Sequence, residues 1–461
     1  MKIKERFNIR LGLLFFLLSL TSLMARGGFI VNDIGYSICS YYDENDNYIV
    51  DSTSVMVIGG NIYYDEENYQ WVRIDYKGDI VIPASIIYEG NTYPVIRIDS
   101  QAFRSCDSIT SIVLPNALIS IGDGAFGYCT GLSEIIIPSS VTRIESNAFS
   151  ECTGLSEINI PSSVTYIGRE AFYGCTGLSE FNIPSSITYI GAGAFDNTAW
   201  YDNQPNGLIY LGPYAYSYKG ELPEESHITL KPGTKGVCGG AFYKQYNLKS
   251  IDIPNSVLLI GGGAFSGCKG LTSIHIPNSV VIIEGGAFEC TDGYFYSFGN
   301  LDEISFGRNV SYIGMTAFAG HTDITSITCY AKIPPKVGLD EGEDYWGLGV
   351  FGTLTGTWME EQVDLSVYKN ATLYVPNGSV AAYQSAEDWC RFQHIVGIDV
   401  PDDYFSVCDV NGDNEVNIAD VNAVINMILS GSGGTTTGDV NGDGEINIAD
   451  INAIINAILS K

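Results

Sequence analysis

Oxygen-bearing side chains recur near the C-terminus of this chain at a spacing that suits a hard cation. Asp409, Asn411, Asp413, Asn417 and Asp420 occupy positions 1, 3, 5, 9 and 12 of the run Asp409-Val-Asn-Gly-Asp-Asn-Glu-Val-Asn-Ile-Ala-Asp420. Asp439, Asn441, Asp443, Asn447 and Asp450 repeat the pattern 30 residues later. Position 7 is Glu415 or Glu445, where the backbone carbonyl is the donor. Calcium takes about six to eight oxygens, and magnesium prefers a tighter octahedron. Each run supplies carboxylates, an amide, a carbonyl and an Asn at position 9 able to hold a water. Three clustered aspartates repel one another without a cation, so metal binding and folding should be coupled. The expectation is two Ca2+ sites.

An amphipathic helix follows each run. Val421, Val424, Ile425, Ile428 and Leu429 have helical spacing, and Ile451, Ile454, Ile455, Ile458 and Leu459 repeat it, so the two apolar faces can pack together. The link Ser430-Gly-Ser-Gly-Gly-Thr-Thr-Thr-Gly438 has a flexible composition. The loop spacing is that of an EF-hand, but with Asp at position 12 and each unit a loop followed by one helix, with no helix before the loop. Over residues 408–461 the chain resembles a type I dockerin domain. The resemblance implies calcium-dependent docking to a cohesin-like module, with loop positions 10 and 11 helping to choose the partner. Those are Ile418-Ala419 and Ile448-Ala449, identical in both halves, which would permit two docking orientations. Asn414 stands where the sharp turn usually takes Gly, as Gly444 does; Asn tolerates a left-handed backbone. A calcium-stabilised tail without a partner is the competing reading.

The rest of the chain is dominated by a repeat. Ala-Phe recurs at Phe103, Phe126, Phe149, Phe172 and Phe195, then at Phe242, Phe265 and Phe288, each 23 residues apart within its series, and again at Phe318. The unit reads Leu155-Ser-Glu-Ile-Asn-Ile-Pro-Ser-Ser-Val-Thr-Tyr-Ile-Gly-Arg-Glu-Ala-Phe172. Leu155, Ile158 and Ile160 alternate as in a short strand, which Pro161 ends because it cannot donate to a ladder. Gly168 and its equivalents Gly122, Gly191, Gly261 and Gly314 are read as permitting the backbone to turn. One turn cannot bury its own apolar edges, but stacked turns can, with parallel strands about 4.8 Å apart. Residues 95–330 resemble the BspA-like leucine-rich repeats of bacterial surface proteins, which implies a right-handed solenoid. The expected fold is a mainly β leucine-rich-repeat solenoid plus a small α-helical calcium-binding domain.

Two interruptions break the period. Residues 199–210 read as a variant turn with a hairpin. The seven extra residues before Phe318 bring Tyr294, Phe295, Tyr296 and Phe298, either a ligand contact or rings packed on the next turn. Residues 26–94 read as an N-terminal β cap, 331–398 as a C-terminal cap closed by a short helix near 379–386, and 399–461 as the calcium domain. Residues flanking the central strand isoleucine face outward. One column runs Ser111, Glu134, Glu157, Glu180, His227, Ser250, Ser273, Glu303 and Ser326. The next runs Val113, Ile136, Asn159, Asn182, Thr229, Asp252, His275, Ser305 and Thr328. Glu134, Glu157 and Glu180 make an acidic strip, read either as a site for a basic or hydroxyl-rich partner or as a solvated face. Cys106, Cys129, Cys152, Cys175 and Cys268 all follow the repeat Phe by three residues, and Thr198 and Gln245 replace Cys at that phase. The expectation is buried thiols rather than disulfides.

Composition narrows the function. The 461 residues hold 23 Lys+Arg against 53 Asp+Glu, a net charge of −30, which opposes binding to nucleic acid or to anionic lipid. Basic residues followed by an apolar stretch to about Met24 have the shape of a secretory signal peptide, residues 1–25. No later segment reads as membrane-spanning, and no Cys near the cut supports a lipid anchor. The four histidines fall outside any His-Glu-x-x-His motif, and no nucleophile elbow or phosphate-binding loop is present. Paired carboxylates for glycoside hydrolysis cannot be judged by counting. Two functions follow. One is a secreted or cell-surface, non-catalytic binding or adhesion protein, whose solenoid recognises a protein or glycan and whose C-terminus docks to a cohesin-like partner. The other is an accessory or hydrolytic component of a surface polysaccharide-degrading complex.

Overall fold

The computed structural model describes residues 28–31, 34–42, 48–58, 62–65, 70–73, 76–290, 299–338, 349–357, 360–400, 410–411, 418–430, 438 and 446–459. The expected leader over 1–25 and the aromatics Tyr294, Phe295, Tyr296 and Phe298 lie outside them. The chain divides into two compact units, residues 1–205 and 206–461.

In the first unit, antiparallel strands Gly28–Val31, Ile34–Tyr42 and Tyr48–Ile58 lead into a parallel ladder. Strand 48–58 pairs in parallel with Asn91–Ile98, which begins the ladder Ser120–Ile121, Arg143–Ile144, Tyr166–Ile167 and Tyr189–Ile190. A second edge of each turn forms short parallel pairs, Ile109–Val113 with Gly78–Val81 on one side and Glu134–Ile135 on the other, then Glu157–Ile158 with Glu180–Phe181. Most of these strands are two residues long, because Pro and the corners leave only two register pairs for the ladder.

The second unit starts from the hairpin Gly207–Leu211/Tyr214–Lys219, bulged at Ile209/Tyr210. One parallel ladder then runs 236–237, 259–260, 282–283, 312–314, 336–338. Another runs Ser273–Ile276, Glu303–Phe306, Ser326–Cys329, Thr372–Pro376 and His394–Ile398. Residues 331–398 therefore contain strands that extend both ladders, with a helix at Val380–Ser385 whose Tyr383 is buried against Trp389. Among the described residues no helix is long and apolar enough to cross a membrane.

The core of each unit is a column of rings. Phe103, Phe126, Phe149, Phe172 and Phe195 stack with centroids 5.1–5.4 Å apart. Phe242, Phe265, Phe288, Phe318 and Phe351 do the same at 4.9–5.6 Å. Phe351, preceded by Val rather than Ala, escapes the Ala-Phe search but completes the second column. Backbone bonds accompany the rings: Phe103, Phe126, Phe149, Phe172, Phe242, Phe265 and Phe288 each donate their N–H to the Ala carbonyl of the next turn, and Phe318 donates to the Val350 carbonyl.

The repeat glycines have a different role from the expected one. A Cβ on Gly168 would lie 2.4 Å from Ser146 N, on Gly191 2.4 Å from Arg169 N, and on Gly314 2.2 Å from Gly285 N. None of the three is left-handed. They are small because consecutive turns touch there. The turning residue comes two positions later, at Gly124 (φ 58°), Asn147 (φ 55°), Glu170 (φ 54°) and Gly193 (φ 62°). Replacing Gly168 by Ala is expected to destabilise the first unit strongly. Replacing Glu170 by Gly should be neutral to mildly stabilising, since it relieves a left-handed φ. Denaturant midpoints of the two variants test the pair; equal effects would contradict the contact argument.

His321 marks a second departure. It falls three residues after Phe318, at the phase the thiols occupy, and is 2 % exposed. Leu301 N–H donates to its Nδ1 at 3.3 Å, so Nε2 carries the proton and donates to the Phe288 carbonyl at 2.8 Å. Burial pushes its pKa down to about 4, partly opposed by the Phe288 bond. The unfolded chain therefore binds one more proton between about pH 6.5 and that value, so stability falls with acidification across this window. The full effect is on the order of 3 kcal/mol. His321→Gln should flatten the pH dependence of unfolding there; an unchanged slope would reject this assignment.

Candidate functional site

The candidate site has two parts, the duplicated loop–helix tail and the outward strand columns. In the tail, helices Ile418–Ser430 and Ile448–Leu459 follow the two acidic runs. Val421, Val424 and Ile454 form their core, with Val410, Ile425, Ile446 and Ile451 around it. The packing is shorter than the apolar pattern suggests: Ile428, Leu429 and Ile455 are exposed. Gly438, at the entry to the second run, is in close quarters, since a Cβ there would lie 2.6 Å from Met427 Sδ.

Of the twelve expected ligands, Asn411, Asp420, Asn447 and Asp450 are described. Asp409, Asp413, Glu415, Asn417, Asp439, Asn441, Asp443 and Glu445 lie outside the described residues. Asp420 and Asp450, at position 12 of each run, are fully buried in the first turn of their helices. Asp420 Oδ1 accepts the backbone N–H of Asn411 at 3.0 Å, which folds position 12 back onto position 3. Asp450 Oδ2 accepts the N–H of Asn447 at 2.8 Å, a bond from the third helical residue to the capping one. A fully buried carboxylate needs compensation, from hydrogen bonds, an opposite charge or a metal ion. The all-oxygen donor set fits calcium, whose charge would meet that demand when bound. Ile418 and Ile448 open the helices 66 % and 71 % exposed, although both are large and apolar. Ala419 is half-buried beside Ile418, and Ala449 is the second residue of its helix.

On the strand columns the expected registers hold. Glu134 pairs with Ser111, and Glu157 stands directly opposite Glu180, all three glutamates being exposed. Asp79 joins the column one strand earlier, its Oδ1 accepting from Ser111 at 2.7 Å and Thr110 at 2.9 Å, bonds that hold its pKa down. Beside these acids stand exposed Val81, Val113 and Ile136.

The second unit shows what spacing alone concealed. His227 Nδ1 lies 2.7 Å from Ser250 Oγ, and its Nε2 lies 3.0 Å from Asp252 Oδ2. The three residue types match a hydrolytic triad, but the side chains of His227 and Asp252 are 51 % and 64 % exposed. Water therefore competes for both contacts, and activating a nucleophile needs a water-poor site with donors for the developing oxyanion. His275 bonds Ser305 at 2.7 Å in the same column geometry, so the arrangement follows from strand register.

The cysteines are free in every described case, and all but Cys390 are buried. They also do more than fill space. Cys129, Cys152, Cys175 and Cys268 each aim Sγ at the carbonyl of the preceding turn's Phe, 3.1 Å away. Burial pushes the Cys175 thiol up to about 12, so it stays protonated and can donate. Where the phase is not Cys, another polar group takes over. Thr198 Oγ1 bonds the Phe195 carbonyl, and Gln245 bridges Leu222 N–H and the Gly220 carbonyl.

Parallel strand ladders with stacked core rings define a leucine-rich-repeat protein, and the two helices that each hold a buried aspartate in the first turn form a duplicated C-terminal module. Residues 96–223 and 290–335 match the BspA type leucine rich repeat region, in 6 copies. Residues 407–459 match the dockerin type I domain. The chain thus joins a BspA-type leucine-rich repeat region to a C-terminal type I dockerin domain. No curated protein matches it. Similar solved structures include a leucine-rich repeat protein from Bacteroides ovatus, 22 % identical over 65 % of this chain and 94 % of that one, TM-score 0.25. Another, from Bacteroides capillosus, is 27 % identical over 34 % and 96 %, TM-score 0.26. A leucine rich cell surface protein from Faecalibacterium prausnitzii is 19 % identical over 68 % and 95 %, TM-score 0.26. Neither matched region is catalytic in kind, and type I dockerins bind calcium and dock to cohesin modules. Proteins of both kinds are extracellular or displayed at the cell surface.

Proposed function

We propose that this is an exported, non-catalytic binding protein of the bacterial surface, with a leader over 1–25, caps over 26–94 and 331–398 around the repeats of 95–330, and a docking domain over 399–461. Two Ca2+ ions per chain are held by Asp409, Asn411, Asp413, Glu415, Asn417 and Asp420, and by Asp439, Asn441, Asp443, Glu445, Asn447 and Asp450. The metal orders the two helices and presents Ile418-Ala419 and Ile448-Ala449 to a cohesin-like module. The observation that carries this reading is the pairing, in both halves, of a fully buried position-12 aspartate with an exposed isoleucine two residues before it. The described core between the helices is small, so a bound cation compensating the buried acids supplies the order.

Titration calorimetry on the full chain should give two calcium sites, and Asp420→Asn with Asp450→Asn should weaken both by tenfold or more. Capture of a cohesin-bearing protein should need calcium, fail in chelator and drop with Ile418→Asp/Ile448→Asp. Capture that survives both would defeat the docking reading.

The repeats carry the ligand face, for an extracellular protein or glycan, at Glu134, Glu157 and Glu180. Like charges directly opposite across strands are unfavourable, and a cationic partner group would remove the repulsion at Glu157 and Glu180. Reversing all three to Lys should abolish binding of a basic or hydroxyl-rich partner while leaving calcium uptake intact. Retained binding would retire the strip.

A further inference from the structure

The second unit holds a basic cleft that no part of the reading above uses. It has a volume of about 720 Å³ and is lined by Arg308, Lys332 and Lys336 together with Asn309, Ser311, Tyr312 and Ile333 among others. Three of the chain's 23 basic residues therefore meet at one place in a protein of net charge −30. Arg308 is half-buried, and among the described residues neither its guanidinium nor Lys336 is in an ion pair.

The cleft departs from the repeat that surrounds it. Three corresponding corners read Pro138-Ser-Ser140, Pro161-Ser-Ser163 and Pro184-Ser-Ser186, all neutral, and the corner at Lys231-Pro-Gly233 carries a single cation, which lies over Tyr210. Here the corners read Gly307-Arg-Asn309 and Ala331-Lys-Ile-Pro-Pro335. Both are held from behind. The buried Asn278 accepts from Arg308 N–H at 3.0 Å. Ser379 Oγ donates to the Lys332 carbonyl at 2.8 Å, and Trp389 Nε1 donates to the Pro335 carbonyl at 2.8 Å. Tyr312 lies across Gly338, where a Cβ would collide with the ring, and stands opposite Lys336 in the ladder. Pinned backbone on both walls reduces the ordering cost of binding.

The lining mixes three cations with an amide, a hydroxyl, a tyrosine ring and an exposed isoleucine. A uronic acid matches it group by group: a carboxylate for the cations, hydroxyls for Asn309 and Ser311, and an apolar sugar face for Tyr312 and Ile333. We infer that this cleft binds the carboxylate-bearing sugars of an acidic polysaccharide. The inference deepens the reading of the repeats as a binding surface, at a place remote in the sequence from the acidic strip and independent of calcium.

The test is calorimetric titration of the full chain, in chelator, with a galacturonate tetramer, a neutral hexose tetramer of equal length, and a short polyglutamate. Saturable binding of the galacturonate alone is expected, weakened by about tenfold or more in Arg308→Gln and in Lys336→Gln at unchanged thermal midpoint. Binding by the docking tail or the Glu134 column would not respond to these substitutions. The acidic run Asp340-Glu-Gly-Glu-Asp344 follows the cleft's last strand by one residue in the sequence and lies outside the described residues. The titration is therefore repeated on D340N/E341Q/E343Q/D344N. Binding by that variant alone still supports the cleft, with the run as its competitor. No binding by either chain, equal binding of polyglutamate, or binding indifferent to Arg308 and Lys336 would overturn the proposal.

Discussion

The distance between consecutive turns governs everything else in the repeat region. Parallel strands hydrogen-bond at a separation of about 4.8 Å, and the rest of each turn must close to nearly that spacing. The phenylalanine rings meet it by stacking face on face, 4.9–5.6 Å apart. Gly168 and its equivalents meet it by lacking a side chain where backbone touches backbone. The thiols meet it with a small group that still has a proton to give to the Phe carbonyl of the turn before. At His321 a bulkier ring serves the same carbonyl role, next to Gly299, where a Cβ would collide with it.

A backbone so constrained leaves freedom only where side chains point away from the stack. Register then puts equivalent positions of successive turns side by side, so any change there forms a column or a cluster. The Glu157–Glu180 pair and the His227–Ser250 contact arise in this way. The second is the more instructive, because three hydrolytic residue types come together without the desolvation that would make them a catalyst. The basic cleft differs in having walls anchored by buried side chains, which register alone does not provide.

The tail works on another principle. Among the described residues its apolar core is Val421, Val424 and Ile454, and two carboxylates are fully buried. Burying charge is costly unless it is compensated, and in the proposed reading bound calcium compensates it, which would couple the order of the module to its environment. Exposed Ile418 and Ile448 are the complement of that economy, apolar surface left out of the core at matching points.

How much of this the sequence determined follows from which contacts are periodic. The fold class, the strand columns, the acidic runs and their helices were all legible, because each repeats at a fixed spacing and periodicity survives in one dimension. Phe351 was hidden by a Val in place of Ala, and the strands at 372–376 and 394–398 were hidden by loss of the motif around them. The true role of Gly168 was hidden because close approach to Ser146 is a contact between turns. The partners of His321, the trio at His227 and the meeting of Arg308, Lys332 and Lys336 belong to the same class. Each joins residues distant along the chain and adjacent only after the turns are laid on one another, and only the tertiary structure decides which of them touch.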